Sequence, residues 1–368
     1  MNNKLLTLAL LTTSLPVFAN IEISENILLS GFGSTSWAKS NNDTPLITHV
    51  EVADHSCFDC DTTFGLQLDG YFNALHVSAQ VVKRPQDHWS EPELEWAYLG
   101  YQYKDLLVRA GQLRIPLFLY SEYYYVGHAY TMARPPTEVY NSILGITAYQ
   151  GFSLTWNVDI DDEKTLAITP FYGLKDEKEV HLNQDTFLEL DTKRMFGLNA
   201  QLSGDNYRLN ASYLNSRYDQ RVTLSNITVA LPMGGSLTLP PVVDESKDHR
   251  IELYSLGAEY EFGPTTLSAE LQKNDRTSAW YSALQHRIDA FTPYVVYGQQ
   301  YSEERDNGQR TREGESVTTG VRYDLRYNLS LNAEWQYFDT DNGDDGAFID
   351  VPTKPNANLY TIMVNFVF

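Results

Sequence analysis

Between Ile115 and Ile146 the sequence gathers groups that could do chemistry: Glu122, Tyr123, Tyr125, His128, Arg134 and Glu138. Phe118, Tyr120, Tyr124, Tyr130, Tyr140 and the Pro135-Pro136 pair share the stretch. Carboxylates facing guanidinium groups across a narrow wet passage set up a transverse field that orders water and sorts solutes by charge. On that reading Glu122 and Glu138 form the acidic side, and Arg109, Arg114, Arg134, Arg322 and Arg326 the basic side. Each charge could equally hold the stretch to a wall by an ion pair. Arg322 and Arg326 could also neutralise Glu334 across a strand pair. The tyrosines could stack on sugar rings or aromatic solutes, or pack the stretch in place. Covalent catalysis lacks its usual marks: there is no Gly-x-Ser-x-Gly elbow and no His-Glu-x-x-His. The chain therefore reads as a non-enzyme without cofactors.

Cys57 and Cys60 sit in Asp54-His55-Ser56-Cys57-Phe58-Asp59-Cys60-Asp61. In an oxidising compartment the expected state is a disulfide closing a small loop. A metal site using His55 and the carboxylates is the alternative, but one C-x-x-C without a second half is a weak zinc signal. No metal is assigned.

The elements that position these groups follow from the ends and the composition. Residues 1–19 read as a signal peptide: Lys4 is the positive head, Leu5–Leu15 the apolar core, and Val17-Phe18-Ala19 the cleavage pattern. The mature chain starts near Asn20 and contains no apolar run long enough for a transmembrane helix. A chain of alternating strands can still cross a membrane, since only every second residue meets lipid. The formal charge is −21, or −22 without Lys4, which excludes nucleic acid as a partner. With 25 Tyr, 16 Phe and 6 Trp, the chain is rich enough in aromatics for girdles at both membrane interfaces.

Strict alternation marks the strands. Phe64, Leu66 and Leu68 alternate with Gly65, Gln67 and Asp69; Leu209, Ala211 and Tyr213 alternate with Arg208, Asn210 and Ser212. Sixteen such runs are expected, the first over Ile27–Trp37 and the last over Asn358–Phe368. Short connections at Asn73, Lys104, Asp159–Glu163, Gly204–Asn206, Gly263-Pro264, Asp289 and Asn328 alternate with long ones, including Tyr218–His249, Glu303–Gly314 and Asp339–Asn356. The expected fold is all-β: a transmembrane antiparallel β-barrel of about 16 strands, spanning 20–368, with an inward-folded constriction loop at 115–146 after strand 5. The inward faces are expected to be polar, as a wet bore requires.

In the last run Tyr360, Ile362, Val364, Phe366 and Phe368 alternate with Thr361, Met363 and Asn365, and the chain ends on an aromatic residue. Here the sequence resembles the general Gram-negative porin family. The resemblance covers the mature chain in architecture: signal peptide, sixteen strands, long loop after strand five, terminal Phe368. It implies that Tyr360, Phe366 and Phe368 belong to an assembly signal read by the barrel assembly machinery. It also implies an outer-membrane location among lipid and lipopolysaccharide, a homotrimer, and passive diffusion of ions and small hydrophilic solutes. A substrate-specific channel for oligosaccharides or aromatic acids is the alternative. An outer-membrane hydrolase and an adhesin or phage receptor are weaker ones. The family's Pro-Glu-Phe-Gly-Gly loop motif is absent; Tyr125-Val126-Gly127-His128-Ala129-Tyr130 and Arg134-Pro135-Pro136-Thr137-Glu138 stand in its place.

Overall fold

Alternating strands have one oily and one polar face, and rolling them into a closed ring sorts the faces while pairing every interior backbone group. The computed structural model describes residues 21–85, 92–143, 146–183, 186–225, 228–230, 236–238, 240–303, 310–341 and 343–368. The signal-peptide segment 1–19 and the expected mature start at Asn20 lie outside the described residues.

The staves are β1 Ile27–Ser40, β2 Thr63–Phe72, β3 Leu75–Lys83, β4 Glu93–Tyr103, β5 Leu106–Arg114, β6 Ala148–Asp161, β7 Lys164–Gly173 and β8 Thr186–Gly204. They continue as β9 Tyr207–Leu224, β10 Val242–Phe262, β11 Thr265–Asn274, β12 Thr277–His286, β13 Phe291–Glu303, β14 Arg310–Arg326, β15 Leu329–Thr340 and β16 Asn356–Val367. The sheet has eighteen hydrogen-bonded segments. Two of them are not separate staves: Ile21–Ser24 folds back on β1, and Asp176–Asn183 continues β7 along β8 past an interruption at Leu174-Lys175. Each stave pairs antiparallel with its sequence neighbours, and β1 closes the ring by pairing with both β2 and β16.

Leu66, Leu99, Val108, Leu198, Leu256 and Ile362 project outward and are exposed, as a lipid-facing band requires. Ser78, Gln80, Asn199, Ser255, Gln272, Asn332 and Asn365 point the other way and are buried.

Four expected connections are corrected. Tyr218–His249 is not all loop: β9 runs to Leu224 and β10 starts at Val242, paired across Leu224↔Val242. Above the membrane water bathes both faces, so strand continues without the alternation that betrays it below. The same holds for Arg310–Gly314 and Asp339–Thr340, which lie in strand. The connection between β11 and β12 is also short: Asp275-Arg276 alone joins them, closed by hydrogen bonds from the Arg276 and Thr277 amides to Asn274 Oδ1 at 2.9 Å each.

Candidate functional site

The chain leaves β5 after Arg114 and does not re-enter the wall until Ala148. Pro116 and the Pro135-Pro136 pair remove ladder donors, so this stretch cannot be strand. It forms short helical turns at Ser121–Tyr123 and Gly127–Ala129 and a one-turn helix α1, Thr137–Tyr140. Its orphan backbone groups are satisfied by inward side chains of the wall, which is how it is held inside the barrel.

The first limb crosses to the far wall. Pro116 O accepts from Ser212 Oγ at 2.9 Å, and Leu117 O from Asn210 Nδ2 at 2.9 Å and Ser255 Oγ at 2.6 Å. Leu119 N donates to Glu270 Oε1 at 2.7 Å. The other oxygen of Glu270 accepts from Tyr140 and Tyr281, each at 2.7 Å, and Tyr140 Oη in turn accepts the Tyr120 amide at 2.9 Å. One buried carboxylate thus ties both limbs to β11 and β12. Tyr120 and Tyr124 each stack on Tyr140 with centroids 5.8 Å apart.

The second limb returns along β14, β15, β16 and β1. A Cβ on Gly127 would lie 2.3 Å from Asn365 Oδ1 and 2.6 Å from Ser34 Oγ, so only glycine lets the backbone approach this closely. His128 bonds Ser330 Oγ at 3.2 Å and the Tyr327 carbonyl at 3.0 Å. Arg322 donates to the carbonyls of His128 and Tyr130 at 2.8 and 2.7 Å, and Asn332 to that of Thr131 at 2.6 Å. Ala133 N donates to Glu334 Oε2 at 3.1 Å, an oxygen that also accepts from Tyr294 at 2.8 Å. Arg134 then reaches Asp61 of the β1–β2 connection and Thr361 of β16. Glu138 accepts from Ser316 and lies against Gly298.

Most of the expected constriction charges are therefore anchors. Arg134 and Glu138 are buried and bonded. Arg322 holds loop carbonyls and pairs with Asp324 at 2.7 Å, rather than neutralising Glu334, which Arg134, Tyr294 and Ala133 N serve instead. Arg114 pairs with Glu95 at 3.0 Å and lies over the Tyr125 ring. Tyr125 is packed against Phe32 and Val82, and Tyr123 Oη accepts from Arg208 at 3.0 Å. Arg326 is exposed at the end of β14 beside the Tyr327-Asn328 turn.

Two candidates on the loop and the wall beside β4 make no ion pair among the described residues. Glu122 is exposed and makes no ion pair among the described residues. Among the described residues Arg109 lies over the Tyr98 ring, 5.7 Å away, and its Nε finds no hydrogen-bond partner. Tyr98, beneath Arg109, and Tyr123, next to Glu122, pack against the same cluster of loop and wall residues.

Burial holds the Glu138 carboxyl above its ordinary range, with the Ser316 bond opposing. Burial, helped by the Arg322 charge, holds the His128 imidazole below its ordinary value. The tyrosine hydroxyls at 120, 124, 130 and 140 are pushed up by burial and stay neutral.

The inward wall is not polar throughout, as had been expected. Leu214, Leu253, Tyr281 and Val296 point inward and pack against Leu117, Phe118 and Val139 of the loop. The loop anchors that sequence reasoning missed, Asp61, Glu95 and Glu270, are all carboxylates, and Glu95 and Glu270, like Glu334, sit buried on strands.

At the closing seam the Gly31 amide donates to Phe368 O at 2.8 Å. The rings of Phe368 and Phe366 cover Gly31 and Gly33, and Tyr360 faces outward. Cys57 and Cys60 are disulfide-bonded, which removes both sulfurs from any metal-ligand set with Asp59.

A sequence profile of Gram-negative porins matches residues 125–343. A search of curated protein sequences finds no significant match. Solved structures share the fold at low identity. A loop-deletion mutant of OmpT, an outer membrane protein of Vibrio cholerae, is 14% identical with TM-score 0.60, over 93% of this chain and 99% of that one. OmpT is also known in a trimer form. The Salmonella typhi OmpF complex with daunomycin is 15% identical with TM-score 0.59, covering 95% and 100%. An anion-selective porin from Comamonas acidovorans is 11% identical with TM-score 0.60, covering 93% and 99%.

Proposed function

The chain belongs to the Gram-negative porin family of the outer membrane, and from that premise we propose that its bore is a water-filled route for passive diffusion of ions and small hydrophilic solutes. Transport needs no catalytic step: a solute enters from one side, passes the loop and leaves by diffusion. The observation that carries this reading is the unequal use of charge. Arg114, Arg134, Glu138 and Arg322 are consumed in holding the loop, whereas Glu122 and Arg109 make no ion pair among the described residues. Unpaired opposite charges in a partly desolvated constriction act on passing ions more strongly than the screened carboxylates of the outer strands.

In this reading the protein is exported, is inserted through its terminal strand by the barrel assembly machinery, and sits among lipid and lipopolysaccharide. It assembles as a homotrimer, the form in which the similarly folded OmpT is known. The test is purified protein in planar bilayers under a salt gradient. Stepwise, ohmic conductance with a modest reversal potential is expected; a bilayer that stays insulating would refute the proposal.

A further inference from the structure

The connection between β1 and β2 carries more chain than the wall beside it can pair. Cys57 and Ala38 exchange both backbone hydrogen bonds at 2.9 Å, and regular pairing resumes at Ser34↔Thr63. Five residues, 58–62, therefore run beside three, 35–37. The excess has no ladder to hold it and, left open, would sample many conformations. The Cys57–Cys60 disulfide gathers it into a tight turn. The Cys60 amide donates to Cys57 Sγ at 3.1 Å and the Thr62 amide to Asp59 O at 2.9 Å, which closes the turn further.

The residue after the crosslink is Asp61. Its buried carboxylate accepts from Ser36 Oγ at 2.6 Å and from Arg134 Nε at 2.6 Å. Arg134 is followed by Pro135-Pro136, whose fixed φ passes a displacement of Arg134 on to α1. A cavity of about 80 Å³, lined in part by Asp61, Arg134, Pro135 and Thr137, adjoins the pair and gives room for the water that separated charges need. The other end of the turn faces solvent: Phe58 is 68% exposed and both cysteines are only half-buried. A crosslink reachable from the outer mouth thus stands next to the residue that anchors the loop inside the bore.

We propose that the Cys57–Cys60 disulfide is a positioning element for the loop, and that its reduction by an external dithiol releases Asp61 and, through Arg134, the second limb. In that step a thiolate of the dithiol attacks one protein sulfur and the S–S bond opens to a mixed disulfide. The second sulfur of the dithiol then displaces the remaining protein sulfur. The dithiol leaves as its cyclic disulfide, oxidised by two electrons, and its two protons end on the Cys57 and Cys60 thiols. The hold on the loop stands on this geometry alone. Its effect on current rests on the channel function proposed above.

The experiment is hydrogen exchange, read by mass spectrometry, on the full chain in lipid nanodiscs with and without dithiothreitol, maleimide labelling reporting the thiols released. Reduction should speed exchange in the peptide carrying Ala133, whose amide donates to Glu334, by about tenfold, and leave Leu267–Leu271 of β11 unchanged. The double variant Cys57→Ser with Cys60→Ser should exchange fast under both conditions. Asp61→Asn should be fast already, and reduction should add less than about twofold to it, because the disulfide and Asp61 act in series. A crosslink that merely stiffened its own turn would add its full effect in that background. Slow exchange at Ala133 in reduced wild type or in the double serine variant, or an undiminished effect in Asp61→Asn, would overturn the proposal. The same samples go into planar bilayers. An exchange response without conductance supports the positioning role and removes the channel reading; conductance without an exchange response does the reverse.

Discussion

Arg134 Nε lies 2.6 Å from Asp61 Oδ1, so the loop inside the bore is tied to the connection between β1 and β2 at the outer mouth. Both side chains are more than nine-tenths buried, and Asp61 also accepts from Ser36 at 2.6 Å. Although burial opposes it, the Asp61 charge and hydrogen bonds hold the Arg134 proton more firmly than usual. Breaking a buried pair by removing one partner strands the other charge, at about 3–5 kcal/mol. Asp61→Asn and Arg134→Met should each loosen the loop, raising open-channel noise and lowering the voltage at which current closes. The double variant Asp61→Leu with Arg134→Met should behave closer to wild type than either single change, because no charge is left alone. Single-channel recording of the three variants reads this directly.

Glu122 and Arg109 should set ion preference. Removing one unit charge a few ångströms from a hydrated ion is worth up to about 1 kcal/mol. Glu122→Gln should shift the cation-to-anion permeability ratio down, and Arg109→Gln should shift it up, each by at most about fivefold. Glu138→Gln, whose carboxyl is buried against Ser316, should leave it nearly unchanged. Reversal potentials under a salt gradient distinguish the three.

The loop should respond to pH through two anchors of opposite sense. Glu138 has its folded value raised above the ordinary 4.5 by burial. Its contribution is complete below 4.5 and is lost as pH rises through the raised value. His128 has its folded value held below the ordinary 6.5 by burial and by Arg322, against the Tyr327 carbonyl and Asp324. Its contribution is complete above 6.5 and is lost as pH falls through the lowered value. Open-channel noise should therefore rise on acidification from 6.5, and His128→Asn should flatten that limb while Glu138→Gln flattens the alkaline one. A noise profile insensitive to both substitutions would remove this assignment.

The closing seam predicts an assembly defect. A Cβ on Gly33 would lie 2.5 Å from Phe366 Cζ, and one on Gly31 2.3 Å from Phe368 Cζ. Gly33→Val displaces the ring that covers the β1–β16 junction, and Phe368→Ala uncovers it. Both should reduce the heat-modifiable folded band on gels and slow insertion into vesicles, whereas Leu256→Ala on the lipid face, far from the seam, should change little.

The fold was legible because the bilayer imposes a two-residue period on every stave: Leu267, Ala269 and Leu271 against Ser268, Glu270 and Gln272 admits one reading. Outside the bilayer that period disappears, which is why the strand extensions at Tyr218–Leu224 and Val242–His249 read as loop. The site was legible as a segment and illegible as a set of roles. Arg134 and Asp61, or Glu270 and Leu119, are brought together only by barrel closure across large sequence separations. Leu214 and Leu253 look like lipid-facing residues by type, yet they point inward and are buried against the loop.

If the pinned loop leaves a wet, charged passage at Glu122, a charge placed at that position must change the current. The direct measurement is single-channel conductance of Glu122→Cys before and after a charged methanethiosulfonate reagent, with Glu138→Cys as the buried control. A stepwise fall in conductance, larger for the cationic reagent in cation current and absent at the control, is predicted. Conductance that is unaltered at position 122, or altered equally at 138, would contradict it.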